Sequence, residues 1–355
     1  MSLTRFLESI VVVVVAAHQL CAGSVVTYAV GPCKPTLPSF STISAALAAS
    51  PAPNIVMVCP GTYNEQVQIT QPVTLQGIIS GNSGQPIIAV PSGGLVTNAT
   101  EDMTGSAVAA QVWVNNTSGP VNISNLTVDA TGNGINCECF VVGMFFQNSP
   151  GIVNHVTTRN QAGNNLGVGI WTEGGSSDPT VTVENSSVHS FDDIGIVTQA
   201  NSLSSALTTT VKGNDIADGP YLGIYTAGGT TSTVTNNVIQ RLGLGILTAN
   251  LAGAVSGNTL SGIRLGIQAY ADEVSLTGNR ILGSSSAGIE LHTSLAPIHG
   301  NTISHVPVGI DFICSADGNV HSNTIIDATT GLDHVPAGIT TVNSYFSVAT
   351  IRNGC

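Results

Sequence analysis

From about residue 125 onward, short runs of alternating apolar and polar residues recur between two punctuation marks. A glycine followed by an apolar residue returns at Gly143, Gly169, Gly195, Gly223, Gly245, Gly266, Gly288, Gly309 and Gly331, with spacings of 26, 26, 28, 22, 21, 22, 21 and 22. An asparagine ahead of a short apolar strand returns at Asn125, Asn154, Asn185, Asn214, Asn237, Asn258, Asn279, Asn301 and Asn323, with spacings of 29, 31, 29, 23, 21, 21, 22 and 22. Each unit is too short to hold a helix and strands together, and none can bury its own apolar side. Stacking on copies of itself solves both problems, so the pattern predicts an all-β fold, a parallel β-solenoid. The asparagines are expected at the corners. There they tolerate a left-handed backbone and exchange amide hydrogen bonds from coil to coil, with no catalytic role.

The N-terminal part carries a different pattern. Residues 41–47 read as a short amphipathic helix with a Ser or Thr start. The strand Ile55–Val58, a Pro60-Gly61 turn and strands near residues 67–69 and 73–75 follow. An open solenoid end exposes unpaired strand edges, so this helix is expected to cap it. Residues 24–355 then form one domain, with the cap at about 24–53, coils at 54–330 and a C-terminal coil or cap at 331–355.

Residues 1–23 read as a secretory signal: Arg5, an apolar run over residues 10–17, and a small-residue cleavage site at Cys21-Ala22-Gly23. That run is too short for a membrane span, which needs about 20 residues, and no later segment qualifies. A secreted or periplasmic location follows. Cleavage leaves Cys33, Cys59, Cys137, Cys139, Cys314 and Cys355, suited to disulfides in an oxidising compartment. Cys33 and Cys59 flank one supersecondary unit and are paired first. Cys137-x-Cys139 suggests metal by itself, but no nearby second Cys or His pair completes a tetrahedral site.

Composition narrows the function classes. With 8 Lys+Arg against 20 Asp+Glu, a net charge of -12 and only 8% charged residues, the chain has no basic surface for nucleic acid. Its 42% hydrophobic content separates it from disordered chains.

The stretch STISAALAASPAPNIVMVCPGTYNEQVQITQPVTLQG resembles the opening of right-handed parallel β-helix proteins of the pectin-lyase-like superfamily. Those have a capping helix, an apolar strand, a P-G-T-Y turn and a P-V-T-L-x-G strand. The downstream G-I and N-x-I units are similar to the β-helix repeats of that superfamily, including its NosD-like group. The resemblance covers about residues 40–330 and implies a right-handed coil. It leaves activity open, because the superfamily holds lyases, hydrolases, esterases, epimerases and non-enzymes.

The glycine also sets a register. Counting it as zero, positions −1, +1 and +3 are expected to face the core and +2 and +4 to face solvent. The outer strip then carries Phe145, Trp171, Glu173 and Tyr225 toward one end. Gln268, Tyr270, Glu290, His292, Asp311 and Asp333 lie toward the other. Glu290 and Asp311 should project side by side from adjacent coils, giving a carboxylate pair for sugar cleavage, with His292 sharing the proton transfer. Trp171, Tyr225 and Tyr270 are expected to be sugar platforms, with Glu173, Gln268 and Asp333 as further substrate contacts. The same acidic stack offers an alternative use in binding Ca²⁺.

Two motif likenesses bear on this strip. Gly309-Ile310-Asp311-Phe312-Ile313 is similar to the G-x-x-D-F-I-F-G segment of pectinesterases, which implies Asp311 as nucleophile. The L-G-R-P-W element of that family is missing. Phe191-Asp192-Asp193-Ile194 resembles the paired Asp of polygalacturonases, whose N-T-D, G-H-G and R-I-K elements are also missing. The expected function is binding or cleavage of an extracellular polysaccharide, one containing uronic acid among the options. The alternative is a non-catalytic envelope or surface scaffold.

Overall fold

The computed structural model describes residues 24–79, 81, 84–135, 137–175, 177–201, 206–270, 273–292, 297–314 and 319–355. The proposed signal, residues 1–23, lies outside them. Three stacks of parallel strands wind into one solenoid. The first stack contains the repeat glycines and runs through Ala107–Asn115, Phe140–Gln147, Gly167–Gly174, Ile194–Ala200 and on to Ala287–Leu291. The second runs from Val73–Gly77 through Val121–Ser124, Gly151–Asn154 and Thr180–Glu184. The third runs from Ile87–Ala89 through Thr127–Asp129, Thr157–Arg159 and Ser187–His189. Toward the C-terminus the strands bend through the corners and lengthen, as in Val320–Val335 and Val342–Gly354.

The glycine column has a steric cause. A Cβ on Gly143 would stand 2.5 Å from the Gly169 carbonyl oxygen, one on Gly266 2.1 Å from that of Gly288, and one on Gly309 2.5 Å from that of Gly331. Each coil crosses directly over the glycine of the coil before, so any side chain there would push the two apart. This close passage also breaks the strand alternation. Positions +1 and +3 do face the core: Met144, Phe146, Ile289, Leu291, Ile310 and Phe312 are fully buried in it. Position −1 does not, which corrects the expected register. Val142 and Val168 join Phe145 and Trp171 in a separate cluster on the outer side of the first stack.

The corner between the second and third stacks is built from two adjacent columns. One takes the left-handed backbone: Asn125 (φ 57°), His155 (54°), Asn185 (50°), Gly213 (65°), Asn236 (56°), Gly257 (65°) and Gly278 (63°). The next residue points inward, and from Asn214 onward it is a buried asparagine. Asn237 Nδ2 donates to Asn258 Oδ1 at 2.9 Å, Asn258 to Asn279 at 3.0 Å, and Asn279 to Asn301 at 3.0 Å. Each Oδ1 also accepts the backbone N–H of the asparagine one coil earlier, and each Nδ2 also donates to a carbonyl, as Asn258 does to Val234 at 2.9 Å. The amide ladder is therefore present, but the expected left-handed asparagines are a different set. Asn125 and Asn185 belong to the left-handed column, whereas Asn214, Asn237 and their successors belong to the ladder.

At the N-terminal end, the helix Ile43–Leu47 starts at an N-cap Thr42 and buries Ile43, Ala46 and Leu47. Glu65 accepts its first backbone N–H groups, from Ile43 at 2.7 Å and Ser44 at 2.9 Å, which removes donors that a helix start leaves unpaired. Cys33 and Cys59 are disulfide-bonded, as paired from sequence, and Cys137–Cys139 and Cys314–Cys355 are the other bridges. No helix of the described residues is long and apolar enough to cross a membrane.

Candidate functional site

Among the described residues, one antiparallel pairing interrupts the parallel pattern. Ala99–Thr100 runs against Ala107–Asn115, so residues 97–107 fold back as an arm over the outer side of the first stack. This arm decides the fate of the outer strip. Beneath it, Phe145 is fully buried and Trp171 is 4% exposed. Trp171 packs edge-on against Phe140, with centroids 4.9 Å apart, and tilted against Phe145 at 5.4 Å. Tyr225 lies half-buried at the margin of the same cluster. Trp171 as an open sugar platform is therefore corrected, because its ring is core for the arm.

Glu173 is corrected in the same way. It is 1% exposed and accepts the Asp102 backbone N–H at 3.0 Å and Gln199 Nε2 at 3.3 Å. Gln147 Nε2 donates to Asp102 Oδ1 at 2.9 Å, and Asn201 Nδ2 reaches Asp102 Oδ2 at 3.1 Å, so polar groups of the strip clamp the arm down. Burial, joined by the charge of Asp102, raises the Glu173 carboxyl to about 7 despite these hydrogen bonds.

The other half of the strip stays open and brings the remaining predicted residues together. Glu290 and Asp311 are direct partners in adjacent parallel strands, and Asp333 follows Asp311 one coil on. Gln268 Nε2 and His292 Nε2 both reach Glu290 Oε1, at 2.5 and 2.7 Å. Tyr270, 46% exposed, stacks on His292 with centroids 3.9 Å apart and planes 17° off parallel. Asp311 Oδ1 accepts the Ile313 backbone N–H at 3.1 Å and contacts His334 Nδ1 at 2.9 Å. Asp333 Oδ1 accepts the His334 backbone N–H and Asn353 Nδ2, both at 3.1 Å. Among the described residues, no group of three or more His, Cys, Asp and Glu side chains is arranged to hold a metal ion.

His334 is the member that sequence reasoning passed over. Three residues after Gly331, it occupies a position that faces the core in earlier coils. Its left-handed backbone, φ 47°, turns the imidazole outward onto Asp311 instead. The signal was present in the column itself, where Ala269, Leu291 and Phe312 give way to a histidine. Its hydrogen bond to Asp311, then the charges of Asp311 and Asp333, raise His334 above the ordinary histidine value.

Comparisons with known proteins agree with this architecture. A family model described as right handed beta helix region matches residues 110–273 and 204–353, which together span more than half of the chain. No curated protein matches it. Among solved structures, a GH136 lacto-N-biosidase from Eubacterium ramulus is 10% identical, with a TM-score of 0.56 over 91% of this chain and 67% of its own. PfbA, a surface adhesin of Streptococcus pneumoniae, is 15% identical, with a TM-score of 0.46 over 84% of this chain and 85% of its own. The A-module of the mannuronan C-5 epimerase AlgE6 from Azotobacter vinelandii is 15% identical, with a TM-score of 0.45 over 84% and 91%. At 10% identity, the likeness to the lacto-N-biosidase is one of fold alone.

Proposed function

The chain belongs to the right-handed β-helix family, and on that premise we propose that it binds and cleaves an extracellular polysaccharide on the open half of its outer strip. The observation that carries this reading is the placement of Glu290 opposite Asp311, each with a histidine on its carboxylate. Adjacent strands lie about 4.8 Å apart, close to the roughly 5–5.5 Å between the two carboxyl groups of a retaining glycosidase. His334, with Nδ1 2.9 Å from Asp311 Oδ1, holds the Asp311 carboxylate in place as the nucleophile. Glu290, steered by Gln268 and His292, is the acid and then the base. The Asp311 carboxylate adds to the anomeric carbon while Glu290 gives its proton to the departing glycosidic oxygen. Water, deprotonated by Glu290, then displaces Asp311 and releases the sugar. Tyr270 offers the apolar face on which a ring can rest, and Asp333 and Gln268 offer groups for its hydroxyls. Secretion fits such a substrate, as do the disulfides.

A reducing-end screen against neutral and acidic glycans tests the reading. Glu290→Gln should lower kcat by about 100-fold or more, the range of general acid–base catalysis, while binding persists. Tyr270→Ala should weaken retention on the same glycan. Turnover that is indifferent to both Glu290→Gln and Asp311→Asn would remove the catalytic proposal, and retention without turnover in the wild-type chain would favour the scaffold alternative.

A further inference from the structure

Two residues ahead of the repeat glycines, at the edge of the first stack, successive coils place Asp193, Tyr221, Gly243 and Arg264 above one another. Backbone bonds fix the stack: Leu222 N–H donates to the Asp193 carbonyl at 3.1 Å, Leu244 to Tyr221 at 2.7 Å, and Leu265 to Gly243 at 3.0 Å. With rungs about 4.8 Å apart, the residues on either side of Gly243 stand roughly 10 Å from each other. Position 243 cannot fill that space, since a Cβ there would lie 2.7 Å from the Pro220 carbonyl oxygen and 2.9 Å from that of Tyr221. The result is a cleft of about 520 Å³ with Ile194, Leu222 and Leu244 as its floor and Tyr221, Arg264 and Asp193 around it.

The three polar side chains are available to a ligand. Tyr221 is 51% exposed. Arg159 and Arg241 pair with Asp129 and Asp218, whereas Arg264 pairs with no carboxylate among the described residues. The Asp192 carboxylate is spent on the backbone N–H groups of Gly163, Asn165 and Gly167, at 2.7, 3.2 and 2.5 Å. That of Asp193 makes no hydrogen bond among the described residues and lines the cleft. Burial, with a smaller push from the charge of Asp192, raises it to about 6, so it accepts at neutral pH and can also donate below about pH 6.

We propose that this cleft binds a ring that carries a carboxylate, specifically a uronate residue of an acidic glycan. The apolar ring face lies on Tyr221 and the leucine floor, the carboxylate pairs with the Arg264 guanidinium, and a hydroxyl meets Asp193. An aromatic face beside an arginine fork selects such a ligand over a neutral sugar, which leaves the guanidinium without its anion. The choice of a sugar over other ring carboxylates rests on the carbohydrate reading above. The cleft itself uses neither Glu290 nor Asp311.

The test is a titration of the full chain with glucuronate, galacturonate, methyl glucoside and benzoate, followed by backbone amide shifts at Leu222 and Leu244. Saturable shifts with the uronates and not with methyl glucoside are expected. Arg264→Gln, an exposed change that leaves the fold intact, should weaken uronate binding about 10-fold or more, and Tyr221→Ala should weaken it as well. Glu290→Gln should leave it unchanged, so that loss of turnover at the outer strip and loss of binding here are read separately. Absence of uronate binding in the wild-type chain, or undiminished binding in Arg264→Gln, would overturn the site. Shifts with benzoate alone would overturn its assignment to a sugar.

Discussion

Glu173 shows how one residue can be read correctly for direction and wrongly for environment. Its position, four after Gly169, does point it away from the main core, but the arm over residues 97–107 then closes above it. A carboxyl raised from 4.5 to about 7 in the folded chain holds its proton where the unfolded chain has lost it. It therefore favours folding fully below pH about 4.5, and that contribution is lost as pH rises to about 7. The span corresponds to a cost on the order of 3 kcal/mol at pH 8. Glu173→Gln should raise the melting temperature at pH 8, leave it nearly unchanged at pH 4, and flatten the profile between. Equal shifts at both pH values would show that the carboxyl is not titrating in this window. His334 carries the opposite lesson, because its column faces the core in earlier coils and only its left-handed backbone delivers it to Asp311.

At the scale of elements, two repeated devices hold adjacent coils together, and each predicts a cost. Asn258 makes hydrogen bonds to the coils on both sides and is fully buried. Asn258→Ala would take from the Asn237 backbone N–H its Oδ1 acceptor, from the Asn237 amide one of its two acceptors, and from the Val234 carbonyl its side-chain donor, at about 1–3 kcal/mol for each buried group left unpaired. Gly266→Ala would drive a methyl group to 2.1 Å from the Gly288 carbonyl oxygen, which only separation of the two coils can relieve. Both variants should melt well below the wild-type chain, measured by circular dichroism. Gly278→Ala should cost far less than Gly266→Ala, because a Cβ there meets nothing within 4 Å and only its φ of +63° is strained. Repetition made both devices legible in the sequence. Which of two neighbouring corner residues turns left-handed and which enters the ladder was not, because asparagine serves both roles equally well.

Over the whole molecule, a solenoid couples each coil chiefly to its neighbours, so damage should stay local. In hydrogen exchange, Asn258→Ala should lower protection most in the coils carrying Asn237 and Asn279 and least at Thr27–Val30, and uniform loss along the chain would refute this. The sequence by itself determined the solenoid, its coil lengths, the inward +1 and +3 columns and the adjacency of Glu290 and Asp311. All of these follow from periodicity and from the fixed spacing of stacked strands. Only the tertiary structure decided which part of the outer strip meets solvent. The arm that buries Phe145, Trp171 and Glu173 lies outside the repeat, so no column of the register could announce it. The cleft beside Arg264 has the same origin, since it is a gap in a stack of side chains, and a gap exists only once the coils are laid on one another.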